Sequence, residues 1–570
     1  MTPLSLLRQK MQEAGIQACL IPSTDPHQSE YVAERWQVRA HFSGFTGSAG
    51  ELLVTLGEAA LWTDSRYFLQ AEQQLAGSEI QLMKSGLPET PSLSDWLAEQ
   101  LQQGDTLGIN GWQFPHSRVR SLRRKLAAKG IELRTDFDPF DEIWPQRPPL
   151  PKEPIFDFPT DYAGESREHK LQRLRENMQK QGASQLLISA LDEIAWLFNL
   201  RGRDVHCNPV FYAYALVGQD EARLFLPYSE EGKCPDQLGS HLAKAGIKIL
   251  PYEQIADFLH QLAEGEQRLW APETQTNEAL FEALGGKPYL RKNSPLAAMK
   301  AIKNEREIEL LREAMIMDGK ALKDFYQWLE ETLQERPVSE YEAGEKINEF
   351  RSRQEGYFGP SFDPIVGFRQ NGAIVHYRAE ADSCAMIEGS GMLLIDSGGQ
   401  YLKGTTDITR TIYLGEPSEE EKRHFTLVLK GTIALAMARF PEGTTGCQLD
   451  TLARKALWSE KLNYGHGTGH GVGFFLNVHE GPQRIGPTRS NVPLQPGMIT
   501  SDEPGYYREG HYGIRIENLI LCKSCGDGFL EFETLTLFPI QRKLIVESML
   551  TEEEREWLEA YERKVAEALA

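Results

Sequence analysis

Four carboxylates and one histidine in the last third of the chain have the residue types of a two-metal ligand set. They are Asp396 in LLIDSGGQY, Asp407 in TTDITRTIY, His470 in GHGTGHGVG, Glu503 in SDEPGYY and Glu517 in RIENLIL. Carboxylates that are crowded in a partly buried place repel one another and take up protons. Two divalent cations would offset about four negative charges almost completely, so the pattern favours two metal ions over one.

The segment around Asp396 and Asp407 predicts a β-hairpin. GMLLI indicates a short apolar strand, SGGQ a turn, and TTDITRTIYL a β-branched strand. Asp407 shares one face of the second strand with Thr409 and Thr411, so both aspartates can point to one side of the sheet. The alternative for Asp396 is turn chemistry, since it precedes Ser-Gly-Gly.

Alternate glycines in YGHGTGHGVGFF argue against a helix. In an extended chain His466, Thr468 and His470 would project together, with glycine between them allowing a close approach of backbone or ligand. A glycine-rich surface loop is the alternative. His479 follows in NVHEGP, within reach of the same site if the chain turns back.

Glu503 and Glu517 lie in two further strand contexts. Glu503 precedes Pro-Gly, where a strand ends in a turn, and Glu517 lies inside the apolar strand pattern GIRIENLIL. An unpaired buried glutamate is costly, so Glu517 needs a partner. That partner is either a nearby arginine or a metal ion.

Four oxygen donors and one imidazole make a hard ligand set, which suits Mn or Zn. Two such ions about 3.5–4 Å apart can hold a bridging hydroxide and clamp a carbonyl oxygen during attack. Protonating the leaving group requires a histidine or an acid nearby. His376, on the apolar and strand-like run NGAIVHYRAE, could supply it.

The whole chain has the composition of a globular protein, with 570 residues, 41% hydrophobic, 25% charged and a formal net charge of -21. This acidic balance disfavours nucleic acid and anionic membrane partners. Seven scattered cysteines, with one isolated C-x-x-C that is read as chance, indicate a reducing compartment. We find no signal-peptide run and no stretch of about 18 apolar residues, which predicts a cytoplasmic protein.

An internal repeat divides the N-terminal half. LRQKMQEAGIQACLI (7–21) aligns without gaps with LRENMQKQGASQLLI (174–188), and each copy predicts an amphipathic helix, a glycine and a buried strand. SGFTGSAGELLVT and ALWTDSRYFLQ would continue the first copy as strands, and WLFNLRGRDV, VFYAYALV and ARLFLP the second. Chance similarity is the alternative to two related α/β domains.

Two boundaries follow from the pattern. Five prolines between residues 145 and 154 predict a stiff linker without helix, and a second boundary falls near residues 294–303. A helix of about 30 residues follows, and the chain ends in a charged amphipathic helix. We therefore expect an α/β (α+β) protein with domains at 1–150, 151–300 and 301–570.

In this order and these contexts the site residues resemble those of the pita-bread metallopeptidases, family M24. The whole chain resembles the long, three-domain aminopeptidase P (Xaa-Pro aminopeptidase) family of the cytosolic eukaryotic type. The resemblance rests on His376, Asp396, Asp407, His466, His470, His479, Glu503 and Glu517, with FSGFTGSAG and WTDSRYFLQ in the first domain. It implies two tandem creatinase-N-like domains followed by a pita-bread catalytic domain.

The resemblance also implies a role for each residue. Asp396 would bind one metal and His470 with Glu503 the other, while Asp407 and Glu517 would bridge the two. The metals would be two divalent ions, usually Mn(II), with Zn(II) or Co(II) as alternatives. Glu503 would also orient or deprotonate the bridging water. His376 and His479 would hold the substrate and stabilise the intermediate, His466 would line the pocket, and Arg66 would reach the substrate from the first domain.

The implied reaction is removal of an N-terminal residue from peptides with proline in the second position. A Xaa-Pro bond has no N–H, so peptidases that recognise this N–H bind it poorly. The alternatives are a proline dipeptidase with the same centre and a non-catalytic pita-bread binding module. No ligand is replaced in this chain, which argues against the module. The family also implies a homodimer.

Overall fold

The computed structural model describes residues 2–227, 232–263 and 268–570. The chain forms two compact units: Met1–Pro159 with Glu165–Leu296, and Thr160–Gly164 with Ala297–Ala570. The first unit contains two six-stranded sheets, and the second contains the predicted site. The predicted division of the first unit after residue 150 stays a prediction.

The elements alternate along most of the chain. The α-helices are α1 (Pro3–Glu13), α2 (Val38–Ser43), α3 (Phe68–Gln74), α4 (Leu93–Gln100), α5 (His116–Ala127), α6 (Phe140–Ile143), α7 (Thr160–Ala163), α8 (Arg167–Lys180), α9 (Leu191–Leu197), α10 (Asp236–Lys244), α11 (Ile255–Ala263), α12 (Glu278–Ala283), α13 (Pro295–Ala301), α14 (Glu305–Glu335), α15 (Glu340–Ser352), α16 (Glu419–Ala436), α17 (Gly446–Ser459) and α18 (Glu552–Ala568).

The strands of the first unit are β1 (Ala18–Ile21), β2 (Glu51–Thr55), β3 (Ala59–Thr63), β4 (Ile80–Lys84), β5 (Thr106–Gly108), β6 (Glu132–Arg134), β7 (Phe156–Asp157), β8 (Gln185–Ile188), β9 (Leu200–Arg201), β10 (Tyr214–Gly218), β11 (Ala222–Leu226), β12 (Ile247–Pro251), β13 (Leu269–Trp270) and β14 (Tyr289–Leu290). Those of the second unit are β15 (Val338–Ser339), β16 (Tyr357–Pro360), β17 (Ile365–Phe368), β18 (Met386–Ile387), β19 (Gly391–Ser397), β20 (Gly399–Tyr401), β21 (Gly404–Thr405), β22 (Ile408–Leu414), β23 (Arg439–Pro441), β24 (Gly469–Gly471), β25 (Glu480–Ile485), β26 (Ile499–Asp502), β27 (Gly505–Arg508), β28 (Tyr512–Arg515), β29 (Asn518–Gly526) and β30 (Phe529–Thr534).

The internal repeat is confirmed by topology. The two large sheets run β4-β3-β2-β1-β5-β6 and β12-β11-β10-β8-β13-β14, with the same sequence of antiparallel and parallel pairings. In both copies a helix ends before a glycine with positive φ, Gly15 (φ 70) or Gly182 (φ 66), and a fully buried strand follows. Since left-handed backbone is easy only for glycine, this residue ends the helix and redirects the chain.

Two strand predictions in the repeat are wrong over most of their length. WLFNLRGRDV begins with the last two residues of α9, and only Leu200–Arg201 form a strand, β9. ALWTDSRYFLQ is strand only as far as Thr63, and its last residues belong to helix α3, which begins at Phe68. Both apolar runs are short, and short runs do not distinguish a buried helix from a buried strand. The proline-rich stretch 145–154 contains no helix, as predicted.

The second unit begins with the predicted long helix. α14 spans 31 residues and starts with a capping box, in which Asn304 and Glu307 satisfy each other's backbone amides. Its buried face includes Leu311, Leu322 and Phe325, and the predicted terminal helix is α18. The sheets that carry the site are β17-β19-β22 and β23-β30-β29-β26-β24-β25.

Two further features concern the chain as a whole. Among the helices in the described ranges, none is long and apolar enough to span a membrane. None of the seven cysteines, all of which lie in the described ranges, forms a disulfide, and the two of the C-x-x-C differ in exposure, Cys522 being buried and Cys525 exposed.

Candidate metal centre and active site

Asp396 and Asp407 lie on neighbouring strands of one sheet. β19 pairs antiparallel with β22, placing Asp396 opposite Thr409, and Asp407 directly precedes β22. The predicted hairpin is confirmed, but the predicted turn at SGGQ is wrong. Asp396 lies inside β19, and the chain continues through the small hairpin β20–β21 before returning. The turn interpretation of Asp396 is therefore excluded.

Glu517 joins these aspartates from the strand connection between β28 and β29. Its side chain is 1% exposed, its backbone amide donates to the carbonyl of Thr409 (3.1 Å), and the Thr409 hydroxyl donates to its Oε2 (2.7 Å). The single strand that the alternation in GIRIENLIL predicts is interrupted at residues 516–517. The interruption places Glu517 against β22 rather than in a continuous ladder.

His470 and Glu503 come from the ends of two paired strands. His470 lies on β24 and Glu503 directly follows β26; the Ser501 hydroxyl accepts from the His470 amide (2.9 Å) and donates to Glu503 Oε1 (3.2 Å). The glycines around His470 are required by packing. A Cβ on Gly469 would lie 1.9 Å from the Ser501 carbonyl oxygen, and one on Gly471 would lie 2.1 Å from that of Glu480.

The five predicted ligands belong to one cluster. Ligand atoms of Asp407, His470 and Glu517 lie within 4.8 Å of one another. His470 Nε2 is 3.4 Å from Asp407 Oδ2 and 3.6 Å from Glu503 Oε1. Asp396 interacts electrostatically with both Asp407 and Glu503. The other ring nitrogen of His470, Nδ1, donates to the Gly471 carbonyl (3.0 Å), which leaves Nε2 facing the carboxylates, where it can bind a metal ion once it loses its proton.

Burial and mutual repulsion disturb the titration of this cluster. Burial raises the pKa of Asp396 to about 6, with a further contribution from Asp407. Burial followed by the charge of Asp407 raises the pKa of Glu517 well above its ordinary value, and burial also raises that of Glu503. Burial lowers the pKa of His470, but Asp407 and Glu503 outweigh it and raise the value to about 9. Such a cluster favours bound positive charge.

Arg515 is a functional residue that the sequence reasoning missed. It is buried, and its Nη2 donates to Asp396 Oδ2 (2.5 Å) while its Nε donates to the Thr409 hydroxyl (3.0 Å). The predicted alternative for Glu517 was an unspecified nearby arginine; Arg515 interacts with Glu517 electrostatically but donates its hydrogen bond to Asp396. Its guanidinium offsets one of the four carboxylates, so two divalent ions would give the cluster one net positive charge. The alternation Arg-x-Glu in RIEN was the available signal.

Tyr507 connects Arg515 to His466. Arg515 Nη1 donates to the Tyr507 hydroxyl (2.7 Å), so this hydroxyl donates its own proton to His466 Nε2 (2.8 Å). His466 Nδ1 then donates to the Gly467 carbonyl (2.7 Å). The predicted extended strand through His466, Thr468 and His470 is wrong. β24 covers three residues, and the Thr468 hydroxyl donates to Asp450 (2.5 Å) away from the ligands.

Two further histidines were predicted to act beside the ligands. The ring of His479 meets that of His470 edge-on, with centroids 4.3 Å apart. His376 lies in a turn after the 3-10 helix Arg369–Ala373, so its predicted strand-like run is wrong. Arg66 lies in the first unit after β3, and its Nη2 is paired with Asp64 Oδ2 (2.8 Å). Its predicted contact with substrate stays a prediction.

Arg410 connects the ligand strands to the C-terminal part of the chain. Its buried guanidinium donates to the carbonyl of Glu517 (2.6 Å), to the carbonyl of Phe538 (2.8 Å) and to the hydroxyl of Tyr561 on α18 (2.8 Å). It also donates to Asn518 Oδ1 (2.9 Å). Helix α18 is thus connected through Arg410 to the backbone of Glu517.

The residues present fit a pair of divalent metal ions. Asp396 Oδ1 is buried and has no hydrogen-bond partner among the described residues, although it lies in the middle of the cluster. A buried carboxylate oxygen that is left without a donor is unfavourable unless something else binds it. Together with Nε2 of His470, which faces the carboxylates, and the raised pKa values of Asp396, Glu503 and Glu517, this oxygen indicates a site built around cations.

Comparisons with known proteins agree with this geometry. Residues 309–524 match the model of metallopeptidase family M24, and residues 528–570 match the C-terminal region of peptidase M24. Residues 3–143 and 146–307 each match a creatinase/prolidase N-terminal domain. The predicted order of two creatinase-N-like domains and one metallopeptidase domain is confirmed.

Curated relatives cover the entire chain. The chain is 42% identical to the probable Xaa-Pro aminopeptidase P of Sordaria macrospora, over 100% of this chain and 95% of the relative. It is 43% identical to aminopeptidase P2 of Arabidopsis thaliana, over 100% and 85%.

Solved structures give the same result. The X-prolyl aminopeptidase of Caenorhabditis elegans, described as a cytosolic enzyme with a di-nuclear active site, superposes with a TM-score of 0.93 at 35% identity, over 97% of this chain and 92% of that one. The Xaa-Pro dipeptidase of Bacillus anthracis reaches 0.54 at 26% identity, over 66% of this chain and 99% of its own. The chain therefore belongs to metallopeptidase family M24, among relatives named Xaa-Pro aminopeptidase P.

Proposed function

We propose that this chain is a metalloaminopeptidase that hydrolyses the bond between an N-terminal residue and a following proline, using two divalent metal ions. The observation that carries the proposal is the intact, converging set of four carboxylates and one imidazole. It occurs in a chain that matches Xaa-Pro aminopeptidase P relatives from end to end. A non-catalytic relative would have no reason to keep a buried, mutually repelling ligand set.

We assign the ligands as the sequence predicted. Asp396 would hold one ion, His470 Nε2 and Glu503 the other, and Asp407 with Glu517 both. When bound, the ions would supply water activation and polarisation of the scissile carbonyl. The donor set is hard, so we propose Mn(II) as the native metal, with Zn(II) or Co(II) as alternatives.

The side chains around the ligands would divide the remaining tasks. Glu503 lies beside His470 with one oxygen bound by Ser501, and its carboxylate would accept the proton of the attacking water. His479, edge-on to His470, and His376 would hold the substrate and the developing negative charge. Both nitrogens of His466 are already hydrogen-bonded, so His466 would shape the pocket through its ring. Arg66 would contact the substrate.

Chain length distinguishes the proposal from a proline dipeptidase. The Bacillus anthracis dipeptidase covers only 66% of this chain, whereas the Caenorhabditis elegans aminopeptidase covers 97%. The additional α/β repeat would favour longer substrates. We further propose a cytoplasmic location, in keeping with seven cysteines that form no disulfide and with the relative described as cytosolic. The homodimer that we propose rests on the family resemblance alone.

Cleavage of matched peptides tests the function. Purified protein of known metal content should release Arg from Arg-Pro-Pro and act far more slowly on the dipeptide Arg-Pro and on Arg-Ala-Ala. Activity should disappear after treatment with a chelator and return with Mn(II). Preference for Arg-Pro would favour the dipeptidase, and a protein that binds no metal in elemental analysis would contradict the proposal.

A further inference from the structure

A buried glutamate outside the ligand cluster holds the loop that carries His376. Glu340 is the first residue of α15, and its side chain is 0% exposed. Its Oε1 accepts from the backbone amide of Phe368 (2.7 Å), and both of its oxygens accept from Asn371 Nδ2 (3.1 and 3.0 Å). One carboxylate therefore binds the start of this loop at two residues.

The same carboxylate also binds the middle and the end of the loop. Glu340 Oε2 accepts from the Tyr377 hydroxyl (2.8 Å) and from the backbone amide of Ala385 (2.8 Å). The backbone amide of Glu340 donates to the Ala385 carbonyl (3.0 Å). These hydrogen bonds to Glu340 are called the clamp below. Tyr377 directly follows His376, so the clamp holds the residue next to the histidine that we place beside the substrate.

Burial contributes little to holding the loop. From Ile374 to Met386, a stretch that the structure describes completely, every residue is half-buried or exposed. A segment without buried apolar side chains opens easily unless polar contacts retain it. Here five hydrogen bonds converge on one carboxylate that is well shielded from water, where hydrogen bonds to a charged acceptor are strong.

Close backbone packing shows where the loop is held. A Cβ on Gly367 would lie 2.7 Å from the backbone of Gly372, and one on Gly513 would lie 1.7 Å from the Gly372 carbonyl oxygen. The first turn of the loop is therefore packed directly against β17 and against β28, the strand that carries Arg515. This contact places the loop at the edge of the ligand cluster.

We infer that Glu340 is a positioning residue for His376, fixing the loop so that this histidine meets the substrate at the metal centre. The inference rests on the proposed function for the role of His376. The hydrogen-bond partners of Glu340 lie outside the ligand set, so the clamp should act on the geometry of catalysis and not on metal loading.

Coupling between variants tests the inference. Glu340→Gln should lower kcat/KM for Arg-Pro-Pro by about 10- to 100-fold, since small misplacements of catalytic groups have effects of this order. Its metal content should match the wild type. In a His376→Ala background, Glu340→Gln should lower kcat/KM by less than about 3-fold further, because the effects of two residues that act as one unit are not additive. Tyr377→Phe removes a single hydroxyl and should lower kcat/KM by a smaller factor. This loss should also shrink in the His376→Ala background. The variant therefore tests the inference even if Glu340→Gln folds poorly.

The control and a second readout separate positioning from general stability. Glu342→Gln alters a half-buried glutamate in the same first turn of α15, paired with Arg336, and should leave kcat/KM unchanged. Hydrogen exchange at the amides of Phe368 and Ala385 should accelerate in Glu340→Gln alone. Suppose that the wild type hydrolyses Arg-Pro-Pro. The role of Glu340 would then be overturned if the losses of kcat/KM in the double variant were fully additive, or if Glu340→Gln kept the wild-type kcat/KM. Absent wild-type turnover would overturn the proposed function as well.

Discussion

A buried carboxylate in the first unit, that of Asp25, is held by uncharged donors. Its Oδ1 accepts from the amides of His27 (2.9 Å) and Ser29 (3.0 Å), and its Oδ2 accepts from the Tyr212 hydroxyl (2.8 Å). His27 in turn contacts the Ser189 carbonyl and the Tyr252 hydroxyl, both at 2.7 Å. The whole network is closed by the chain itself.

The carboxylate cluster of the second unit is not closed in this way. Asp396 has one oxygen on Arg515 and the other without a partner among the described residues, and several acids crowd around one guanidinium. Burial alone therefore does not mark a metal site. What distinguishes the cluster is negative charge that the protein leaves uncompensated, and four experiments can test this distinction.

The largest contrast is expected from one matched pair of substitutions. Asp407→Asn removes a proposed shared ligand and should abolish both metal binding and hydrolysis of Arg-Pro-Pro. Asp25→Asn makes the same chemical change at the closed network and should keep both, with some loss of stability. Elemental analysis and peptide assays on the two proteins provide the measurement. Metal retained by Asp407→Asn would contradict the ligand assignment.

Arg515→Met should show how far bound metal ions can replace the guanidinium in offsetting the charge of the carboxylates. Removing one partner of a buried ion pair typically costs about 3–5 kcal/mol. We expect a loss of this size in the unfolding free energy of metal-free protein, and a clearly smaller one when metal is bound. Denaturant unfolding with and without Mn(II) measures both. Equal losses in the two states would show that Arg515 and the metals do not share the same charges.

Tyr212→Phe probes the closed network with a smaller effect. The change leaves Asp25 Oδ2 without its donor, which should cost about 1–3 kcal/mol of unfolding free energy. Because this network contains no metal ligand, the loss should be the same with and without Mn(II). A metal-dependent loss would mean that the two clusters are energetically linked.

The smallest expected effect concerns how the unfolding free energy of the metal-free protein changes with pH. His27 and Asp396 should contribute slopes of opposite sign, each at most about 1.4 kcal/mol per pH unit. Burial lowers the pKa of His27 despite nearby Asp25, so its contribution to stability is lost as the pH falls below the ordinary histidine value. Burial raises the pKa of Asp396 to about 6, so its contribution is present at low pH and is lost as the pH rises through that value.

Two substitutions isolate these slopes. Subtracting the unfolding free energies of His27→Gln from those of the wild type between pH 5 and 7.5 should give a difference that decreases on acidification. The same subtraction with Asp396→Asn should give a difference that increases on acidification, and only without metal. Slopes of the same sign would contradict the contrast between the two clusters.

Local and repeated signals in the sequence predicted much of this architecture. The repeat at 7–21 and 174–188, the proline linker and α14 depend on patterns within a few turns of chain, and the structure confirms them. The same local patterns predicted β19 and β22 around Asp396 and Asp407. The ligand set as a whole was identified through its resemblance to a family.

What the sequence did not predict depends on contacts between distant segments. Arg515 binds Asp396, 119 positions away, and Glu340 holds a loop up to 45 positions downstream. The interruption of the strand before Glu517 follows from its pairing with Thr409, 108 positions away. Periodicity carries no information on such pairings, so the ligands could be found while their supports could not.

The hydrogen bonds of Arg410 have a consequence for the order in which the protein folds during its synthesis. Tyr561, on the last helix, helps hold the arginine that binds the backbone of Glu517. The N-terminal repeat can fold while synthesis continues, since domains generally fold as units in order of emergence. The ligand strands, however, lack the support of Tyr561 until α18 has been made. The second unit should therefore reach its final arrangement later in synthesis than the N-terminal repeat.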